Sequence, residues 1–356
     1  MTPLEAELVR QLADGTVVGF DQVMAAALYA PGVGFYAAGG GAGRRRDFLT
    51  SPEVGPLFGA VVARALDAWW LEAGRPDRFP VVDAGAGPGG LARSILAARP
   101  RCADALELVL VEVAEARWAE HPAGTTSRID LPAPGELGPG PVVVLANELL
   151  DNLPVVLVER GPDGWVEVGV TASASALVEA HRPLDVARRR WCDVRVPDAP
   201  VGARFPVLAE AATWLAEARG LAADGGRVVV IDYARSSAEL ARTPTHEWLR
   251  TYARHGRGSG PLSDLGAQDI TCDVALDQLA LVSPPSTVRS QAEWLRAHGI
   301  DDLVAEGARR WEAGAAAGGL EALAGRSRTT EAAALLDPAG LGAFTVAEWL
   351  VEGPPP

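Results

Sequence analysis

The stretch Phe79-Pro80-Val81-Val82-Asp83-Ala84-Gly85-Ala86-Gly87-Pro88-Gly89-Gly90 constrains this chain more than any other. An apolar run ends at a carboxylate, a glycine cluster follows, and Leu91 to Arg99 then places apolar residues at helical spacing. The pattern predicts strand, tight turn and helix. Glycine lets backbone pass close to a ligand where a Cβ would block it. The helix that follows directs its free N–H groups at the same spot. A chain with this unit is built around something bound at the end of a strand.

The rest of the chain extends the unit into a sheet. Leu106 to Glu112 reads as a second buried strand ending in a carboxylate, and Thr125 to Ile129 as a weak third followed by Asp130. Pro141 to Ala146 is a fourth, ending at Asn147-Glu148-Leu149-Leu150-Asp151-Asn152-Leu153-Pro154, and Gly226 to Tyr233 is a fifth. Phe344 to Trp349 reads as a last strand, and Leu276 to Val282 as another candidate. Helices are expected over residues 4–13, from a cap at Asp21 to Tyr29, and from a cap at Thr50 or Ser51 to Glu72. Further helices are expected over 207–222, 288–298, 301–314 and 328–336. Val155–Arg160 and Trp165–Val170 flank Gly161-Pro162-Asp163-Gly164, a hairpin signature. Residues 37–46, ending in Arg44, Arg45 and Arg46, read as a mobile glycine-rich loop, 171–204 as a polar irregular insertion and 243–273 as loop-rich.

Buried strands alternating with helices specify an α/β fold: a mostly parallel, Rossmann-like sheet with helices on both faces, an N-terminal helical region and an inserted subdomain of β-hairpin and irregular chain. The expected organisation is an N-terminal cap or substrate region over residues 1–75 and the first half of the binding core over 76–154. An insertion over 155–204 follows, then the second half of the core over 205–356. Ligands of such sheets sit at the carboxyl ends of the strands. Those ends carry Asp83, Glu112, Asp130, Asn147, Glu148 and Asp232.

Composition removes whole classes of chemistry. All 32 basic residues are arginine, so no lysine Schiff base or P-loop lysine is possible. The same bias, with the excess of Ala, Gly and Pro, points to a GC-rich bacterial genome. The net charge of −14 argues against a nucleic-acid partner. Cys102, Cys192 and Cys272 form no CxxC pair and the five histidines show no ligand spacing, so no metal is expected. The first residues have neither a basic nor an apolar leader pattern, and no run approaches the length of a membrane span. The expectation is a cytoplasmic, soluble protein without membrane insertion. Oligomeric state is not encoded in any readable pattern.

Gly85-x-Gly87-x-x-Gly90 also satisfies the dinucleotide fingerprint. Against it stand the late start of the motif, the acid two residues before the first glycine, and Glu112, which lies beyond the usual spacing of about 20 residues. Asp83-x-Gly85-x-Gly87-x-Gly89 resembles the turn of S-adenosylmethionine methyltransferases. In that resemblance Asp83 serves the cofactor's ammonium and Glu112 its ribose diol.

Four further stretches are similar to the MidA-like methyltransferases, whose mitochondrial member is an arginine methyltransferase that helps assemble respiratory complex I. They are Ala27-Leu28-Tyr29-x-Pro31-x-x-Gly34-Phe35-Tyr36, Asp47-Phe48-x-Thr50-Ser51-Pro52-Glu53-Val54-x-x-Leu57-Phe58-Gly59, Ala146 to Pro154, and Leu336-Asp337-Pro338-x-Gly340-x-Gly342. Ile231-Asp232-Tyr233 and Asp269-Ile270-Thr271-x-x-Val274 complete the series. The chain departs from the family by lacking an arginine in the glycine turn and by carrying Leu149-Leu150 in place of paired aromatics.

The resemblance implies S-adenosyl-L-methionine as cofactor, bound by Asp83, Gly85, Gly87, Gly89, Glu112, Asp130, Asn147, Thr50 and Pro52. It implies methylation of a protein substrate presenting an arginine. Glu148, Asp151 and Glu53 are the candidate catalytic acids, because paired carboxylates match a guanidinium fork and can take its proton. The alternatives are a cofactor-binding assembly or scaffold factor with little catalysis and, further off, an NAD-dependent oxidoreductase.

Overall fold

The computed structural model describes residues 1–40, 50–223, 225–253, 256–314 and 319–352. The arginine run at 44–46 and the opening of the second motif at 47–49 lie outside the described residues. The chain divides into two compact units. One gathers Met1–Phe48, Leu149–Ala216 and Tyr233–Pro284, the other Leu49–Glu148, Glu217–Asp232 and Pro285–Pro356.

The second unit holds the expected α/β sheet. Its strands are β1 (Phe79–Ala84), β2 (Leu106–Val111), β3 (Thr126–Arg128), β4 (Val143–Asn147), β5 (Arg227–Asp232), β6 (Thr287–Ser290) and β7 (Thr345–Leu350), in the order β6-β7-β5-β4-β1-β2-β3. The five strands β1 to β5 run parallel. Strand β7 is antiparallel to both its neighbours, so β6 points the same way as the parallel set. Chain order reverses between β1 and β4, which makes their carboxyl ends the switch point where ligands of open α/β sheets bind. The apolar runs explain the placement: β1 is buried throughout, and Val143, Val144 and Val228 are almost wholly removed from water.

The stretch after Thr50 forms two helices rather than the single one expected. Helix α1 (Ser51–Val54) stops at Gly55, and α2 (Pro56–Glu72) begins anew. The break is built around Glu331, on the helix Leu320–Leu335. Its carboxylate accepts from Leu57 N–H at 2.8 Å, and a Cβ on Gly55 would stand 2.3 Å from its Cδ. Helix α3 (Gly90–Ala98) follows the glycine turn as expected. The expected helix over 288–298 loses its first turn to β6, and the helix proper is Gln291–Ala297, started by the Ser290–Glu293 capping box.

The first unit is richer in strands than the sequence pattern indicates. The hairpin is present: Val156–Gly161 pairs with Gly164–Ser173 across Pro162 and Asp163. The segment read as irregular instead supplies the strand Ala176–Pro183, the helix Val186–Arg195 and the strand Arg204–Val207. With Val18–Gly19 these complete a five-stranded antiparallel sheet. Helix Phe20–Tyr29 is capped by Gln22, which accepts from Gly19 N–H at 3.1 Å, and not by Asp21. Leu276–Val282, read as a strand, is a helix. The loop-rich stretch contains the small sheet of Leu249–Ala253, Gly256–Arg257 and Asp269–Cys272.

Candidate active site

Asp83 is the most telling residue of the site. It lies one position before the end of β1, in register with Leu110 of β2 and Leu145 of β4. Its side chain is buried, and Oδ2 has no hydrogen-bond partner among the described residues. Burial, reinforced by the nearby Glu112 carboxylate, pushes its pKa up to about 7. A buried acid with an unused oxygen costs stability, and a protein keeps one only for a reason such as an incoming partner.

The turn after Asp83 is held open by left-handed glycines. Gly85, Gly87 and Gly89 have φ of 75°, 53° and 75°, a region costly for residues with a Cβ. A Cβ on Gly87 would meet nothing within 4 Å, so that face of the turn is open. Gly85 and Ala86 N–H both donate to Val111 O at 3.0 Å, stitching the turn to β2. Glu112 closes it from the other side. Its Oε2 accepts from Gly87 N–H at 3.0 Å and its Oε1 from Ala114 N–H at 2.7 Å. The acids at the first two strand ends are therefore brought together across the glycine turn.

A second group gathers at the end of β4. Ala84 pairs with Ala146, so Gly85 follows β1 beside Asn147, the last residue of β4. Glu148 follows with φ of 52°, a left-handed conformation unusual for glutamate. Its N–H donates to Ile231 O at 2.8 Å. Its Oε1 accepts from Asn147 Nδ2 at 3.0 Å and from Ser51 N–H at 3.2 Å. Asn147 Oδ1 is buried and has no hydrogen-bond partner among the described residues.

The segment Thr50–Glu53 belongs to the same unit. Ser51 is wholly buried and its hydroxyl donates to Gln291 Oε1 at 2.9 Å, while Thr50 makes no side-chain cap. Of the two residues expected as the cap, Thr50 stands at the N-cap position, but without a side-chain cap bond. Pro52 occupies the first turn of α1. Glu53 reaches the start of α3: a Cβ on Gly90 would lie 3.1 Å from its Oε1.

Two candidates remain. Asp130 is exposed, two residues past β3 on the same edge of the sheet. Asp151 belongs to the other unit, since the chain passes between units after Glu148. There it is buried in the short turn Leu150–Asn152, and its charge acts on Tyr36 and Arg250.

Residues 61–287 match the profile of a family of S-adenosyl-L-methionine-dependent methyltransferases. The chain belongs to this family. Similar curated proteins are the mitochondrial protein arginine methyltransferase NDUFAF7 of Danio rerio, 24% identical over 79% of this chain and 72% of its own length, and that of Bos taurus, 26% identical over 85% and 74%. The Drosophila melanogaster homologue is 26% identical over 68% of this chain, and the match spans only 61% of the fly protein. Among solved structures, a Burkholderia thailandensis superfamily member bound to S-adenosyl-homocysteine is 28% identical. It superposes with a TM-score of 0.82 over 98% of this chain and 91% of its own. The MidA-like resemblance is borne out, and S-adenosyl-L-methionine is the cofactor. Among the described residues, no helix is long and apolar enough to cross a membrane.

The sequence reading passed over three members of the site: Ser51 as a ligand of Glu148, Gln291 behind it, and His121 beside the turn. Gln291 and His121 are brought in by tertiary structure from 240 and 34 residues away, and no local pattern marks them.

Proposed function

We propose that the protein transfers a methyl group from S-adenosyl-L-methionine to an arginine of a protein substrate. The observation that carries this reading is the Glu148 carboxylate. It sits at the carboxyl end of β4 on a left-handed residue, and two donors, Ser51 N–H and the Asn147 amide, fix its direction. Strain of about 1–3 kcal/mol at one residue persists when the surroundings hold it for a purpose. The names of the animal relatives support the acceptor.

The turn suits the cofactor. Ionised Asp83 offers its unused Oδ2 to the ammonium, Glu112 serves the ribose diol, and Gly85, Gly87 and Gly89 keep side chains out of the way. Asn147 contributes its unsatisfied Oδ1, and Thr50, Pro52 and Asp130 complete the proposed contacts. When bound, the cofactor supplies a sulfonium methyl open to in-line displacement.

The protein's own groups then have two tasks. A guanidinium stays protonated at neutral pH, with a pKa above about 12, so it must be both gripped and relieved of a proton. Glu148 is the proposed base. Glu53 is the proposed second carboxylate for the guanidinium fork. Asp151 is kept as a candidate acid of the other unit, to be judged by its own variant.

The test is methyl transfer from labelled cofactor to arginine-rich proteins, read as methylarginine after hydrolysis. The wild type is expected to label arginine. Glu148→Gln is expected to bind S-adenosyl-homocysteine normally and to lose transfer. Retained transfer would remove Glu148 as the base. A wild type that binds cofactor but labels nothing would favour an assembly factor.

A further inference from the structure

The geometry points to His121 as a positioning residue that locks the cofactor turn. It follows the 3-10 helix Glu115–Glu120, outside the glycine motif that defines the turn. Its Nε2 lies 2.9 Å from the Gly87 carbonyl oxygen, and its Nδ1 lies 2.7 Å from Ser127 Oγ. A carbonyl can only accept, so in the neutral ring Nε2 carries the hydrogen and Nδ1 accepts from the Ser127 hydroxyl. Ser127 lies on β3, in register with Leu110 of β2, so the ring is anchored to the sheet itself.

Gly87 is thereby gripped at both ends. Its N–H donates to Glu112 and its carbonyl accepts from His121. The left-handed glycine between these bonds has no side chain to restrict it, and an ungripped turn would sample many conformations. The ring also walls the turn sterically: a Cβ on Gly89 would come within 3.3 Å of His121 Cδ2. Arg93 adds a clasp, with Nη1 donating to both Pro88 O and Glu120 O at 2.7 Å. The segment ending at His121 and the glycine turn thus form one tied assembly. Its function is to hold the turn in its binding-competent shape before cofactor arrives, which saves ordering cost on binding.

This inference rests on the cofactor, not on the identity of the acceptor, and calorimetric titration with S-adenosyl-homocysteine tests it without any transfer step. His121→Ala is expected to weaken the dissociation constant about tenfold, about the worth of one hydrogen bond. His121→Gln places an amide N–H near the position of Nε2 and is expected to recover affinity to within about threefold of wild type. His121→Phe keeps the bulk and is expected to behave like His121→Ala. Thermal melts of all three report whether each variant is folded. With a working transfer assay, KM for the cofactor should follow the dissociation constant while kcat at saturation stays close to wild type. Wild-type affinity in His121→Ala would overturn the proposal, as would a His121→Gln variant as weak as His121→Ala. A wild type that fails to bind would instead overturn the cofactor assignment, and this inference with it.

Discussion

Two buried acids, one in each unit, are treated in opposite ways. Asp269 of the first unit is wholly buried, and its Oδ1 accepts from Asn152 Nδ2 at 3.0 Å and from its neighbour Ile270 N–H at 2.9 Å. The Tyr36 hydroxyl stands 3.1 Å from the same oxygen and 2.9 Å from Asn152 Oδ1, and Tyr29 stacks on Tyr36 at 5.7 Å. Burial, then the charge of Asp269, holds the Tyr36 hydroxyl well above the usual phenol range, so it remains a donor. Asp83 of the second unit is equally buried, but no hydrogen bond to its carboxylate is found among the described residues. The difference teaches how to sort buried acids: one whose carboxylate collects several donors from its own chain is structural, and one that collects none is suited to a ligand.

The largest effect expected from this contrast is at Asp83. Asp83→Asn should weaken cofactor binding by about 100-fold, the loss of one charge-assisted hydrogen bond. The melting temperature should not fall. The folded chain holds the Asp83 proton up to about pH 7, whereas the unfolded chain releases it near pH 4. Burial of Asp83 therefore costs stability increasingly as pH rises between those values, and the asparagine removes that cost. A cofactor titration beside a thermal melt checks both halves.

Asn152→Ala should do the reverse. It removes the bonds from Nδ2 to Asp269 and Ile270 O and leaves buried groups short of partners. We expect a loss of about 2 kcal/mol in denaturant unfolding, with the cofactor dissociation constant unchanged. A drop in affinity without a drop in stability would reverse the roles assigned to the two acids.

The smallest effect concerns backbone strain. Glu148→Gly and Glu148→Ala both remove the carboxylate, but only glycine accepts φ of 52° without strain. The glycine variant should be more stable than the alanine variant by about 1 kcal/mol. Equal stability would show that the left-handed conformation at Glu148 is not costly.

The two units also differ in how much of them could be read from sequence. In the second, the parallel strands β1, β2, β4 and β5 are largely buried apolar runs with a polar residue at or beside their carboxyl end, so these strands, the glycine turn and the site edge follow from local pattern, whereas β3 is short, polar and partly exposed. Strand β6 escaped because Thr287–Ser290 has no alternation and is ordered by pairing with β7. The Ser290–Glu293 capping box was a legible sign of where that helix starts. In the first unit, the short segment Leu276–Val282 is too brief for its pattern to separate strand from helix, and tertiary packing decides between them. Past the buried Leu177, Ala176–Pro183 alternates between half-covered and exposed positions filled largely by polar residues, which hides a strand seated against Gly164–Ser173. Within the site, Asp83 and the glycines announce themselves. The grip of Ser51 on Glu148 and of His121 on Gly87 depends on contacts that no local pattern encodes.

The central claim is that the Asp83 carboxylate waits for a cation. Calorimetry of S-adenosyl-homocysteine binding at pH 6, in buffers of different ionisation enthalpy, tests it most directly. At that pH Asp83, with a pKa of about 7, is mostly protonated, while the ligand's amine remains charged. Pairing the two should expel about one proton per binding event in the wild type and none in Asp83→Asn. A binding enthalpy that is independent of buffer in the wild type would contradict the account.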